Sequence, residues 1–245
     1  DMVHDAVLYG TGVLKGPVIL GKTRQKWSEV VDDQGQVAQV IEMVEDLKPG
    51  AERVDPWDFF PDMQARSIDD AEFIFQRHYM SKKALRDLAD KPGFLRTQIA
   101  EVLKLDADNS HTATHLQEMQ SMAGISSMDN RRFEVWEYHG PVDKDDLIAA
   151  GVDVDEDDVF TDYNGVVWFS EGRVIKAVIN PADTGEMPYC VFNWEGDDTT
   201  IFGVGIPFLM RSSQKVLNAT WRMLMDNAGL SVGPQTVINS QVVRP

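Results

Sequence analysis

The sequence predicts an α+β fold, in which several helices accompany a mainly antiparallel sheet. From residue 132 onward, segments rich in β-branched and aromatic residues alternate with turns rich in Gly, Asn and Asp. These segments are FEVWEYH, VVWF, RVIKAVI and YCVFNW. Helical spacing of apolar residues occurs instead in the middle of the chain and near its C-terminal end. Helices grouped apart from a run of strands are typical of the α+β class.

The first fifth of the chain predicts a short helix followed by a β-hairpin. Residues 1–9 have the pattern of a helix end, which Gly10 terminates. Residues 14–20 are apolar and predict a strand. The alternating segment QVAQVIEMVE predicts a second strand, and Gly35, after two aspartates, marks the turn between them.

The middle of the chain predicts an irregular stretch, a strand and three helices. Residues 54–62 combine prolines with aromatic residues, and residues 72–80 predict a strand. Ser81 suits the N-cap of a helix whose Leu85 and Leu88 face the core. The three helices are predicted at residues 81–90, 94–104 and 111–123.

A strongly amphipathic helix is predicted near the C-terminal end. Pro207 is compatible with its first turn, Gly229 with a left-handed C-cap, and residues 235–238 with a following strand. One face carries Leu209, Val216, Leu217, Thr220, Leu224 and Ala228. The other face carries the basic residues Arg211, Lys215 and Arg222. These three either face solvent or contact an acidic surface of a neighbouring subunit.

Composition restricts the possible functions. The 245 residues carry a net charge of −17, so the basic surface needed to grip nucleic acid broadly is missing. No apolar run is long enough for a membrane span. Cys190 is the only cysteine, which excludes an intrachain disulfide and indicates a reducing compartment. Its apolar neighbours predict an inert thiol in the core.

Nearly half of the net charge comes from one segment, residues 141–162, with nine acidic residues and one lysine. A solvated loop is the expected structure, with cation binding or repulsion of DNA as functional alternatives. A calcium loop beginning at Asp153 would need Gly and Glu where the chain has Asp158 and Asn164, so the segment does not match one.

One segment matches the letters of a phosphate loop. GPVILGKT places Gly16, Gly21, Lys22 and Thr23 in the G-x-x-x-x-G-K-[ST] pattern of nucleotide-binding proteins. Its intervening residues, Pro-Val-Ile-Leu, are typical of a strand and not of an anion-binding loop. Nucleotide binding by this segment is therefore the alternative function.

The sequence contains no recognisable catalytic constellation. His111 and His115 have a spacing that can bind zinc on a helix, but no further ligand accompanies them, so surface histidines are expected. No Gly-x-Ser-x-Gly motif and no carboxylate dyad is present. We therefore predict no enzymatic activity, no cofactor and no metal.

The order of several segments resembles the portal proteins of tailed bacteriophages, particularly those with short tails. The segments that carry the resemblance are HDAVLYGTGVLKGP at 4–17, residues 54–89, RRFEVWEYHG at 131–140 and residues 187–235. The resemblance implies a homo-oligomer, a dodecameric ring at one vertex of the capsid. It also implies a non-enzymatic channel for DNA packaging and ejection.

The same resemblance implies a set of partners and a location. The partners would be the major capsid and scaffolding proteins, the terminase large subunit, tail or adaptor proteins, and double-stranded DNA passing without sequence-specific binding. No membrane partner is implied. The ring would assemble in the host bacterial cytoplasm and reside in the virion at the portal vertex.

By this resemblance the chain divides into three regions. Residues 1–130 correspond to a wing-like α/β region, residues 131–205 to the β-rich part of the wing, and residues 206–245 to a helix and strand leading toward the stem. The stem, clip and crown are expected to lie outside the sequence. The resemblance transfers no catalytic or metal-binding residue.

Overall fold

A computed structural model confirms the α+β class, with two antiparallel sheets and several helices. The structure describes residues 1–31, 37–105, 118, 121–124, 132–152, 154, 162–180 and 186–233. Within them no helix is both long enough and apolar enough to span a membrane.

The smaller sheet contains three strands in the order β2-β1-β8. Their bounds are Thr11–Val31 for β1, Val37–Val54 for β2 and Tyr189–Asn193 for β8. Helix α1, Met2–Tyr9, precedes β1 and ends at Gly10, as predicted. Strand β8 pairs with β1 only along residues 11–15, so this sheet has three strands only at its base.

Beyond that base, β1 and β2 continue as a long two-stranded ribbon, which we define as residues 18–31 and 37–50. The antiparallel register runs from Val18 opposite Gly50 to Val31 opposite Val37. This pairing confirms the predicted hairpin, although its predicted turn at Gly35 lies outside the described residues. Among the described strands, the ribbon pairs with no third strand.

The larger sheet contains five strands in the order β3-β4-β5-β6-β7. Their bounds are Phe59–Pro61, Ile74–Met80, Phe133–Asp143, Asp162–Ser170 and Arg173–Ile179. The predicted strand segments between residues 72 and 193 are therefore confirmed. On β5 the buried residues alternate, so that Phe133, Val135, Glu137 and His139 lie on the inner face.

Two short helices cover part of the inner face of the larger sheet. Helix α2, Lys82–Leu88, begins at the predicted cap, where the Ser81 hydroxyl accepts a hydrogen bond from the Ala84 N–H. Helix α3 follows at Arg96–Val102. Their apolar residues form one buried cluster with β5 and β7: Leu85, Leu88, Ile99, Val102, Phe133, Val135 and Ile175.

A second apolar cluster lies where the two sheets meet. Val13 and Val54 from the smaller sheet contact Phe59 and Ile74 from the larger one, and Tyr189 of β8 completes the cluster. Strands from both sides of residue 130 therefore contribute to each sheet and to the core between them.

Two further helices follow in the chain. Helix α4, Lys144–Ala149, lies directly after β5, and helix α5, Ile206–Val232, is the predicted amphipathic helix. The prediction that Gly229 is its left-handed C-cap was wrong. The helix continues past Gly229 to Val232 and ends at Gly233, whose φ of −74° is not left-handed. The strand predicted at residues 235–238 lies outside the described residues.

Two other predictions, the burial of Cys190 and the helix at residues 111–123, have different outcomes. Cys190 was predicted in the core but is exposed, because the described structure covers only one face of β8 and Cys190 lies on the other. Of the helix predicted at residues 111–123, only Glu118, Ser121 and Met122 are described as helical. His111 and His115 lie outside the described residues.

The start of α5 is held by a close crossing of backbone segments. Gly10 has a φ of 100°, and a Cβ atom there would lie 2.2 Å from the carbonyl oxygen of Gly203. A Cβ atom on Gly205, the N-cap of α5, would lie 2.6 Å from the carbonyl oxygen of Leu8. Only residues without a side chain allow the two segments to approach this closely.

Hydrogen bonds reinforce this crossing. The Gly10 carbonyl accepts from the Trp194 N–H at 2.9 Å, and the Thr11 hydroxyl accepts from the Gly203 N–H at 2.8 Å. The Thr11 hydroxyl also donates to the Asn193 side chain at 3.0 Å. Helix α5 is therefore attached to the body through backbone contacts at its first residues.

We predict that Gly10→Ala lowers the free energy of unfolding by about 1–3 kcal/mol more than Gly172→Ala does. Both glycines have positive φ, 100° and 73°, so both substitutions strain the backbone. Only Gly10 is crowded, because no atom lies within 4 Å of a Cβ atom on Gly172. Urea unfolding of the two variants measures the difference, and equal losses would contradict the close crossing.

Candidate assembly surface

Helix α5 exposes a large apolar surface. None of its residues is buried, although it spans 27 residues. Its largest exposed apolar side chains include Leu217 and Trp221, each 61% exposed, and Val216, 66% exposed. Surfaces of this kind on soluble proteins mark sites of protein–protein contact.

The three predicted contact residues lie together on this helix. Arg211, Lys215 and Arg222 are exposed and lie on one stripe of α5, away from Leu217 and Leu224. Within the described part of the chain, none of the three forms a salt bridge. They are therefore available to an acidic partner.

The segment that matches a phosphate loop is part of a strand. Gly21, Lys22 and Thr23 lie in β1 and face residues of β2 in the antiparallel register. A phosphate loop instead wraps its N–H groups around the anion and leads into a helix. The backbone of residues 16–23 therefore has the geometry of a strand, and it does not favour the nucleotide-binding alternative.

The described part of the acidic segment shows repulsion between neighbouring carboxylates. Asp143 of β5 lies opposite Asp162 of β6. A hydrogen bond from one carboxyl to the other, together with the negative charge of Asp162, raises the pKa of Asp143. Residues 153 and 155–161 lie outside the described residues.

The structure reveals a buried polar cluster that the sequence did not predict. Its centre is Glu137 on β5, which is 3% exposed. Lys15 of β1 donates to Glu137 Oε2 at 2.5 Å, which joins the smaller sheet to the larger one. His78 Nε2 lies 3.0 Å from the same oxygen, and His139 Nε2 lies 2.8 Å from Oε1. Three donors therefore satisfy one buried carboxylate.

Neighbouring polar and aromatic groups enclose this cluster. The Tyr189 hydroxyl donates to Gln76 Oε1 at 2.9 Å, and Lys15 Nζ lies 3.3 Å from the same atom. The His78 ring stacks on Trp168 with a centroid distance of 5.0 Å. Among the described residues, His139 Nδ1 is the buried side-chain atom without a hydrogen-bond partner.

The charges of this cluster shift the protonation of its members. Burial alone would raise the pKa of Glu137, but the hydrogen bonds from His139 and His78 and the charge of Lys15 hold it well below its ordinary value. Burial, with a contribution from the Glu137 charge, raises the pKa of Tyr189. Glu137 is therefore an anion and Tyr189 a neutral donor at neutral pH.

The side chains of the cluster hydrogen-bond to one another. Each hydrogen-bonding side chain contacts another member of the cluster, and within the described residues no group of His, Cys, Asp or Glu is arranged to hold a metal ion. One feature of the sequence could have indicated it. Glu137 and His139 continue the inward alternation of Phe133 and Val135, so two polar residues fall at core positions.

Nearly the whole chain matches one protein family. The family model described as the phage SU10 portal protein matches residues 17–245. The chain belongs to the phage SU10 portal protein family. No curated protein matches the chain. Membership confirms the resemblance to tailed-phage portal proteins. It supports a portal function for the chain, and the portal family is a family of structural proteins.

We predict that Glu137→Gln lowers the free energy of unfolding by about 3–5 kcal/mol, because it leaves the Lys15 ammonium without its buried counter-charge. Glu52→Gln is the matched control, since Glu52 is exposed and lies opposite Lys15 on β2. It should change stability by less than about 1 kcal/mol. Urea unfolding of both variants tests this, and similar losses of stability would contradict a buried ion pair at Glu137.

The lowered pKa of Glu137 also predicts that the stability of the fold depends on pH. Because the folded state lowers the pKa of Glu137 from 4.5, its ionised form stabilises the fold fully above that value. This stabilisation is lost as the pH falls from 4.5 toward the lower folded-state pKa. The stability difference between wild type and Glu137→Gln should therefore shrink on acidification to about pH 3. Urea unfolding at several pH values measures it, and a constant difference would show that Glu137 is not the titrating group.

Proposed function

We propose that this chain is a structural subunit of a portal ring at one vertex of the phage capsid. The ring encloses the channel through which double-stranded DNA is packaged and ejected. The observation that supports the proposal most strongly is the family match over residues 17–245. The exposed apolar surface of α5 supports it as well, because a subunit of an assembly needs a surface of this kind.

The charge of the chain suits a conduit for DNA. A net charge of −17 repels phosphate groups, so DNA slides past without sequence-specific binding. The family also suggests the remaining partners: the major capsid and scaffolding proteins, the terminase large subunit, and tail or adaptor proteins. In this proposal the ring assembles in the host bacterial cytoplasm, remains in the virion, and is not an enzyme.

The proposed regions of the chain follow the family architecture. Residues 1–130 form a wing-like region, residues 131–205 the β-rich part of the wing, and residues 206–245 lead toward the stem. Because strands from the first two regions share both sheets, we regard them as parts of one wing body. Helix α5 then extends from this body toward neighbouring subunits, and the ring is expected to contain twelve copies.

We propose that Arg211, Lys215 and Arg222 contact an acidic surface of the neighbouring subunit. All three are exposed cations in a strongly acidic chain. Every copy presents acidic surface to its neighbours, so a basic stripe lowers the repulsion between identical subunits. The contact is heterologous, which is the kind of interface that generates a closed ring.

This proposal predicts that Lys215→Glu/Arg222→Glu weakens self-association at least about tenfold. The control is Lys82→Glu/Lys83→Glu, which changes the net charge equally at exposed positions on α2. Mass photometry and negative-stain microscopy over a concentration and salt series measure assembly. Equal weakening of both variants would show that the stripe faces solvent, and monomers under all conditions would contradict the ring itself.

A further inference from the structure

A cavity lined by aromatic side chains lies near the start of helix α5, and we call it the aromatic cavity. Its volume is about 430 Å³. Trp57 is 49% exposed and Met63 is 70% exposed, so the described residues leave its mouth uncovered. The larger side chains that line it are Tyr9, Trp57, Phe59, Phe60, Met63 and Phe202.

Hydrogen bonds and ring contacts hold the walls of the aromatic cavity in place. Asp55 Oδ1 accepts from the Trp57 N–H at 3.1 Å, and the Arg77 guanidinium donates to the Trp57 carbonyl at 3.2 Å. The Tyr9 ring lies edge-on to Trp57 with a centroid distance of 6.1 Å, and Phe59 is buried. The cavity is therefore formed before a partner binds, which reduces the entropy lost on binding.

A second cavity, which we call the acidic cleft, adjoins the aromatic cavity. Asp62 lies in the chain between two residues that line the aromatic cavity, and together with Asp70 and Glu72 it lines the cleft. Within the described residues none of these three carboxylates forms a salt bridge. Residues 55–72 carry six acidic residues against one basic residue, Arg66, which also lines the cleft. A partner that fits both cavities needs an apolar side chain next to positive charge.

One face of helix α5 has this combination. Phe208, Arg211 and Lys215 follow one another at spacings of three and four residues, so they lie on the same face. The two cations follow Phe208 by about 5 and 10 Å along the helix axis. Phe208 is 65% exposed, and none of the described residues that line the aromatic cavity belongs to α5. The helix therefore does not fill the cavity of its own copy.

We propose that Phe208 of one copy inserts into the aromatic cavity of a neighbouring copy, where Arg211 and Lys215 face the acidic cleft. This inference rests on the proposed ring, and it identifies the acidic surface that the basic residues of α5 contact. The helix face and the two cavities are different surfaces of one chain, so the contact is heterologous, as a ring requires. A buried aromatic side chain covers about 150–250 Å², which is less than the roughly 800 Å² per partner of a stable interface. The contact is therefore one part of a larger interface.

The first test uses two single-cysteine variants of the full chain, both with Cys190→Ser. One carries Met63→Cys at the aromatic cavity, and the other carries Phe208→Cys on α5. We expect oxidation of the mixture to give disulfide-linked dimers on non-reducing gels, while either variant alone gives few. The control replaces Phe208→Cys with Met210→Cys, which is also exposed but lies on the opposite side of the helix. The control mixture should give at least about tenfold less dimer, because a disulfide requires closely placed Cα atoms.

A charge exchange tests the acidic cleft separately. Arg211→Glu and Glu72→Lys should each weaken self-association at least about fivefold, because each places like charges together. The two substitutions in one chain should restore self-association to within about twofold of wild type. The control combines Arg211→Glu with Asp87→Lys, which adds the same charge at an exposed position of α2 and should restore nothing. Mass photometry over a concentration series measures all four variants.

Each other outcome overturns the inference. Rings that form while the Phe208→Cys mixture gives no more dimer than the Met210→Cys mixture would remove the contact and leave the proposed function intact. Failure of Glu72→Lys to restore assembly, or equal restoration by Asp87→Lys, would show that Arg211 faces a different surface. Monomers at all concentrations would contradict both the inference and the proposed ring.

Discussion

The ion pair between Lys15 and Glu137 is the interaction on which the arrangement of the two sheets depends. It is the point at which a largely buried lysine of the smaller sheet, 12% exposed, meets a buried carboxylate of the larger one, 4% exposed. A shift of one residue in the pairing of β1 with β8 would turn Lys15 to the other face and leave Glu137 without its cation. Burial of these charges therefore selects one register, and this register also determines where Gly10 and the start of α5 lie.

Most of the fold could be predicted because its signals are local. Gly10 at the end of α1 and the Ser81 cap of α2 act through backbone conformation within a few residues. Segment composition likewise predicted β5 to β8. Gly229 was misassigned as a C-cap because a glycine inside a long helix and one at its end look alike in the sequence. Cys190 was misassigned because its apolar neighbours do not reveal that only one face of β8 is covered.

The candidate sites were predicted less completely, and for a different reason. The periodicity of α5 predicted an apolar side and a stripe of Arg211, Lys215 and Arg222, but periodicity cannot show that no residue of the helix is buried within its own chain. The cluster around Glu137 joins residues that are far apart in the chain, and Lys15 and Glu137 are 122 positions apart. Such a cluster depends on the relative position of two sheets, which no local pattern specifies.

The glycine crossing at the start of α5 has a consequence for how such a protein changes over evolutionary time. The direction of the helix is determined by backbone contacts at Gly10, Gly203 and Gly205, and not by side chains along its length. Substitutions on α5 therefore leave the body of the protein unstrained and its orientation unchanged. The helix surface is free to vary together with its partner, whereas the three glycines are not free to vary at all.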